Sequence, residues 1–448
     1  MESDGSIRIN YGEYEHWKYE KFASVVNNML LRRKNVDLHK FELCFKGYHL
    51  INFKDVRTWI QYAVNHGVKV LDVNLGRYDK TFLPRCIFTC RSLEELNLQM
   101  GEAPYDDLEH EGLMLPDKIY LPSLKKLNLC DVEVDTLHLR QIINGSPGLE
   151  DVHLSNSAQY LEHVKSNMLK RLEIHGFFGR GKGLTIAAPH LTHFECTGWP
   201  LEEISWQKQP SLEGAHIDTW CSGRTFDGQS DLIGIVLHAK RLALCGSDIK
   251  AMLEKELPTC SLFDNLVTLE IGGWCLTNDL YVVVRFLQLS PRLEKLTLKQ
   301  RKLYRATKEE TTSSMSIAGM TFKCPLLETL IIQCSKDDVE IGKTVAAMVA
   351  LGISLEKIQV IFYEDIERAE MRGVSLEELK KQDALEKMQK ENQEKVKGSN
   401  ARSDNKDDGD EMEDEDYCSD EEMDDEDSEM DDEDSEMDGE DDDDDDDM

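Results

Sequence analysis

Between residues 151 and 218 the chain repeatedly sets titratable side chains two residues apart: Asp151 and His153; Arg171, Glu173 and His175; His193 and Glu195; His216 and Asp218. Apolar residues stand between them. On a β-strand successive side chains point to opposite faces, so each group would share one face with its apolar neighbours on the other. Carboxylates, imidazoles and a guanidinium on one surface suit hydrogen-bonded and ionic recognition of a protein or ligand. Two further spacings suggest chemistry and fail on inspection. His190-x-x-His193-x-x-Cys196 is spaced like a metal motif, but on a strand His193 and Cys196 point to opposite sides. Cys86 and Cys90 could share a helical face, yet two ligands do not make a zinc site. Gly176-Phe-Phe-Gly-Arg-Gly-Lys182-Gly183 nearly spells a phosphate-binding loop. Gly183 stands where a Ser or Thr hydroxyl should bind Mg²⁺. The next strand is expected from Leu191, which leaves no helix N-terminus to hold phosphate. No G-x-S-x-G, H-E-x-x-H or papain-type cysteine signature occurs. The chain is therefore expected to be no enzyme, with no catalytic residue, no cofactor and no metal.

The elements that must position these residues come from an internal repeat. L-x-x-L-x-L, with apolar substitutes, recurs in thirteen copies that begin at residues 38, 68, 93, 124, 149, 169, 191, 212, 239, 266, 293, 327 and 355. The mean spacing of about 26 residues falls within the 20–29 typical of leucine-rich repeats. Positions 1, 4 and 6 of each copy predict a continuous core, and positions 3, 5 and 7 an outward strip along a parallel sheet. Stacking is obligatory, because one such repeat cannot bury its own apolar face. Pro147, Pro189, Pro210, Pro291 and Pro325 stand at the openings of copies, where proline ends the preceding return segment. The Asn that usually follows the motif is missing. Gly101, Val132, Ser157, Phe177, Trp199, Trp274 and Arg301 occupy its place, so irregular turns are expected. The predicted fold class is α/β, a leucine-rich-repeat solenoid over residues 22–363. The binding surface is expected on the outward strip, with the loops as the alternative.

Charge divides the rest of the chain. The formal net charge is −35, and residues 401–448, with 31 acidic and 2 basic residues, carry −29 of it. The body is nearly neutral and offers little to a nucleic-acid phosphate backbone. No apolar run approaches the roughly 20 residues that span a bilayer. Residues 1–21 form an N-terminal segment without the basic and apolar regions of a secretion signal. The cysteines are scattered without a C-x-x-C pair, which predicts buried thiols and a nuclear or cytoplasmic setting. Ser375-Leu-Glu-Glu378 is a capping-box pattern that opens a charged helical linker within 364–398, too poor in apolar residues for a coiled coil. Residues 399–448 are expected to be disordered. Ser419, Ser428 and Ser435 each have an acid three residues on, the pattern of an acidophilic kinase substrate.

From about residue 18 to 365 the chain resembles the plant F-box/leucine-rich-repeat superfamily, including members with an FBD-type C-terminal region. The residues that carry this are Phe22-Ala-Ser-Val-Val-Asn-Asn-Met-Leu-Leu31, Leu38-His-Lys-Phe-Glu-Leu43, Val56-Arg-Thr-Trp-Ile-Gln-Tyr-Ala-Val64 and Val70-Leu-Asp-Val-Asn-Leu75. Leu83-Pro-Arg-Cys-Ile-Phe-Thr-Cys-Arg-Ser-Leu93, Cys324-Pro-Leu-Leu-Glu-Thr-Leu330 and Leu355-Glu-Lys-Ile-Gln-Val360 complete the series. The resemblance implies a horseshoe like ribonuclease inhibitor and recognition of a protein substrate for ubiquitin ligation. Only 21 residues precede Phe22, too few for a multi-helix F-box when a mean helix takes about 11–12 residues. The expectation is a substrate-recognition module without ligase docking, binding a protein substrate but no cullin-ligase adaptor, nucleic acid or membrane. The alternative is an acidic-tailed nuclear chaperone for basic proteins such as histones, similar in architecture alone to acidic leucine-rich nuclear phosphoproteins.

Overall fold

A computed structural model describes residues 5–400 apart from 15, 34–36, 46–51, 76–82, 101–115, 117, 133, 159, 177–182, 199–203, 208–211, 220–231, 274–279 and 301–318. Alternating apolar residues make the strands. β1 (Ser6–Asn10), β2 (Lys40–Phe45), β3 (Val70–Leu75), β4 (Glu95–Gln99), β5 (Lys126–Cys130), β6 (Asp151–Ser155), β8 (Arg171–His175), β10 (His193–Thr197), β12 (Gly214–Asp218), β13 (Arg241–Cys245), β14 (Thr268–Gly272), β15 (Lys295–Lys299), β16 (Thr329–Cys334) and β17 (Ile358–Phe362) lie in that order in one 14-stranded sheet. Described pairs run parallel, as they must when each strand is reached by a crossover on the same side. Each of the thirteen motif copies supplies one strand. The first strand, β1, lies in the segment the repeat pattern left out. Ile7 and Ile9 alternate with Ser6, Arg8 and Asn10 and are buried against the stack, but five residues are too few to show the full motif.

The core is continuous, as the motif predicts: Leu169, Leu172 and Ile174 of one copy are at most 1% exposed. At the N-terminal end it is aromatic. Trp59 on α2 (Phe53–Asn65) stacks on Phe45 with ring centroids 6.1 Å apart. Its indole N–H donates to Asn27 Oδ1 on α1 (Tyr19–Arg32) at 2.7 Å. Returns elsewhere include α3 (Thr136–Gly145), α4 (Leu232–Val236), α5 (Ser247–Glu256), α6 (Tyr281–Leu289) and α7 (Ile341–Ala350). Between copies starting at 149 and 212 the interval falls to 20–22 residues. There the returns are strands instead: β7 (His163–Lys165), β9 (Leu184–Ala187) and β11 (Ile204–Trp206) form a second, three-stranded parallel sheet. A helix is about 10 Å across, whereas strands stack about 4.8 Å apart. With strands on both walls, the stack advances equally on each side, and the open face from β6 to β12 keeps its side chains evenly spaced.

The turns depart from expectation. Asp131, Asn156, Gly176, Gly198, Gly246 and Gly273 each follow a strand of the large sheet with positive φ. Each donates its N–H to the last residue of the next strand, as from Asn156 to His175 (2.8 Å) and from Gly246 to Gly272 (2.9 Å). A positive φ and the same strand-to-strand N–H bond therefore keep these turns in register without an Asn ladder. Of the residues in the Asn position, Val132 and Ser157 are described. Ser157 Oγ accepts from the Val132 N–H at 3.0 Å and donates to the Ser155 carbonyl at 2.7 Å. Gly101, Phe177, Trp199, Trp274 and Arg301 lie outside the described residues.

The first compact unit spans Met1–Leu376 and so takes in α8 (Tyr363–Arg372), which ends at a left-handed Gly373. The second unit, Glu377–Met448, is described through α9, whose range Leu376–Asn400 places Ser375 at its N-cap position. Leu385 and Met388 on α9 are exposed. The acidic tail, with Ser419, Ser428 and Ser435, lies outside the described residues. The described cysteines are free thiols, with Cys90, Cys196, Cys245 and Cys334 buried. Among the described residues no helix is long and apolar enough to cross a membrane.

Candidate functional site

Strand register sorts the nine titratable residues of the outward strip into rows across the sheet. Asp151, Arg171 and His193 stand side by side and continue through Gly214 to Arg241. His153, Glu173, Glu195 and His216 form the next row, which continues through Ala243 to Glu270. Ser155, His175, Thr197 and Asp218 form the third. Neighbours within a row are about 4.8 Å apart, close enough for adjacent side chains to bond.

They do bond, and the partners fix the ring states. His153 Nδ1 donates to Glu173 Oε2 at 2.8 Å, and His216 Nδ1 donates to Glu195 Oε1 at 2.9 Å. The bond from Glu195 raises the His216 pKa, and the bond from His216 holds Glu195 below the usual carboxylate range. His175 behaves oppositely. Burial lowers its pKa, and its Nδ1 bonds Thr197 Oγ1 at 2.9 Å. Its Nε2 then faces Glu195 Oε1 at 4.0 Å. Burial lowers the His193 pKa, and the guanidinium groups of Arg171 and Arg241 lower it further. Arg241 Nη2 donates to His193 Nε2 at 2.9 Å, so the ring proton sits on Nδ1, 3.0 Å from Thr192 Oγ1. Burial raises Asp218.

The rows enclose a hollow of about 380 Å³, with Arg171, His193 and Arg241 along one edge and Glu173, Glu195, His216 and Glu270 along the other. Gly214 and Ala243 keep its floor low. A Cβ on Gly214 would meet His193 Cδ2 at 3.1 Å. The hollow thus sets guanidinium donors against carboxylate acceptors across a small-residue floor, an arrangement that can grip a dipolar or charged segment.

All nine residues of the strip fall on the one face expected for them. Thr197, Arg241 and Glu270 belong to the same face and are not among the nine titratable residues picked out by spacing. Thr197 holds outward position 7 of its own copy, and Arg241 and Glu270 hold outward positions of the copies that begin at residues 239 and 266, so the repeat alternation marks all three. Gly214 gives no such signal, because its contribution is the side chain it lacks. His193 and Cys196 do point to opposite sides, His193 on the open face and Cys196 in the core. The glycine-rich loop after Gly176 lies largely outside the described residues, and a strand, β9, follows it rather than a helix. One grouping on this face has donor types that could hold a metal ion. His153, Glu173 and His175 bring one donor atom each within 4.8 Å of one another. Glu173 and His175 share one strand, and pairing with the adjacent strand brings His153 to them, so no spacing motif could reveal the set of three.

Comparison with known proteins agrees with this architecture. The F-box/FBD/LRR-repeat protein At5g56420 of Arabidopsis thaliana is 26% identical over 312 residues, covering 67% of this chain and 69% of that protein. The putative FBD-associated F-box protein At5g56560 of the same plant is 27% identical over 293 residues, 63% of this chain and 65% of that protein. The F-box/LRR-repeat protein At4g14103 is 26% identical over 333 residues, 68% and 82% respectively. Residues 29–320 match the family described as At1g61320/AtMIF1, LRR domain. The chain belongs to this leucine-rich-repeat family and is related to the F-box/LRR-repeat proteins of Arabidopsis.

Proposed function

We propose that the protein is a non-catalytic recognition module that docks a segment of a protein partner on the open face of strands β6 to β14. The observation that carries this is the hollow flanked by Arg171, His193 and Arg241 on one side and Glu173, Glu195 and Glu270 on the other. Paired donors and acceptors in fixed positions select a partner by geometry, and solenoid repeats commonly bind through such extended surfaces. The names of these relatives carry the F-box term, which favours a partner marked for ubiquitin-dependent turnover. The test compares quantitative co-precipitation by the full chain and by an Arg171→Ala/Arg241→Ala variant. Selective loss of partners from the variant supports the face, and an unchanged partner set overturns it. Cullin and adaptor subunits in the wild-type precipitate would extend the role to a ligase receptor.

The charge of −29 on residues 401–448 favours a second reading, electrostatic capture of basic proteins such as histones. Partners lost on truncation after residue 398 and in high salt, but retained by the double Arg variant, would support capture by the tail.

A further inference from the structure

We propose that His153, Glu173 and His175 form a site for a borderline divalent transition ion of the Zn²⁺ or Co²⁺ class. The site stands independently of partner docking on the same face.

The positions come from the rigid part of the fold. His153 and Glu173 are direct register partners on β6 and β8, and His175 is two residues further along the same side of β8. Donor atoms of all three lie within 4.8 Å of one another. Zn²⁺ holds nitrogen and oxygen ligands at about 2.0–2.2 Å in a tetrahedral array, so ligand atoms about 3.3 Å apart are required and an ion must draw the three side chains closer together. The His153 and His175 rings are neighbours, with centroids 4.9 Å apart and planes inclined by 41°.

The surrounding bonds also suit an ion. Thr197 Oγ1 holds His175 Nδ1 and leaves Nε2 as the ring nitrogen that can take an ion, as an outer hydrogen bond does for metal-binding imidazoles. An ion that replaces the hydrogen bond between His153 Nδ1 and Glu173 Oε2 requires the ring proton to move to Nε2. The imidazole stays neutral and the ion gains both atoms. Glu195, with an oxygen 4.0 Å from His175 Nε2, adds a second negative charge beside the ion. Two imidazoles and a carboxylate favour Zn²⁺, Co²⁺, Ni²⁺ or Cu²⁺ over Mg²⁺ and Ca²⁺, which prefer all-oxygen shells. Three protein ligands on an open face leave the fourth position to water or to a donor from a docked molecule.

The test uses the full chain without an affinity tag, stripped with chelator. Co²⁺ is added in the presence of excess Mg²⁺, which occupies the carboxylates of the acidic tail. Visible ligand-field absorption and calorimetry are recorded. The expected result is saturable one-to-one uptake with a tetrahedral cobalt spectrum, reversed by Zn²⁺. His153→Ala and His175→Gln should each weaken binding by tenfold or more. Thr197→Val, which removes only the supporting bond, should weaken it by about 10–100-fold. His163→Ala, on the second sheet, should bind as wild type, and thermal melts without metal should show every variant folded. Uptake abolished by Mg²⁺, or unchanged in both His153→Ala and His175→Gln, would overturn the site. Because no partner protein is present, this outcome is independent of the co-precipitation result.

Discussion

His216 and His175 sit on one face and titrate in opposite directions, a contrast that comes from their partners. The carboxylate of Glu195 bonds His216 directly and raises its pKa, while His175 is lowered chiefly by burial. A histidine whose folded pKa is raised contributes stability that is full below the unfolded value of about 6.5 and is lost as pH rises through the folded value. His216→Gln should therefore destabilise the protein most in mild acid, and the penalty should fade towards alkaline pH. Urea unfolding of wild type and variant across that range measures it, and a pH-independent difference would contradict the assignment.

At the scale of the element, the positive-φ turns and the aromatic end carry distinct penalties. Gly246 has φ +111°, and a Cβ there would lie 2.1 Å from the Thr219 carbonyl oxygen. Gly373, at φ +64°, has nothing within 4 Å of that position. The left-handed conformation alone disfavours an L-residue by about 1–2 kcal/mol. Gly373→Ala should show roughly that amount and Gly246→Ala distinctly more, read by chemical denaturation. Trp59 is fully buried between α1, α2 and the first strands. Trp59→Ala should cost about 3–5 kcal/mol. Because repeats interact with nearest neighbours, hydrogen exchange should accelerate around β1–β3 before β13–β15, and uniform acceleration would refute such local coupling.

At the scale of the whole chain, the net charge is concentrated at one end of the sequence. Residues 401–448 hold −29 of the net −35, and few of them are apolar. Deleting residues 401–448 should leave the unfolding free energy of the repeats within about 0.5 kcal/mol at physiological salt, where charges more than about 8 Å apart are screened. A larger change in urea unfolding would show that the tail acts on the fold.

The thirteen motif copies were legible residue by residue, because burying one face of a strand forces a two-residue alternation and stacking forces its recurrence. The same alternation placed His153, Glu173, His193 and His216 outward. It could not show β1, whose Ile7 and Ile9 make a short pattern, nor the ordered turns, which depend on backbone angles at residues as different as Asp131, Asn156 and Gly176. Nor could it say which outward residues meet. Residues 20 to 48 apart in sequence, such as His153 with Glu173 and His193 with Arg241, become bonded neighbours only when parallel register sets strand beside strand. The sequence by itself determined which side chains face out. Tertiary structure decided their partners, and with them the hollow and the His153–Glu173–His175 cluster, because inter-strand register is a property of the stack and of no single segment.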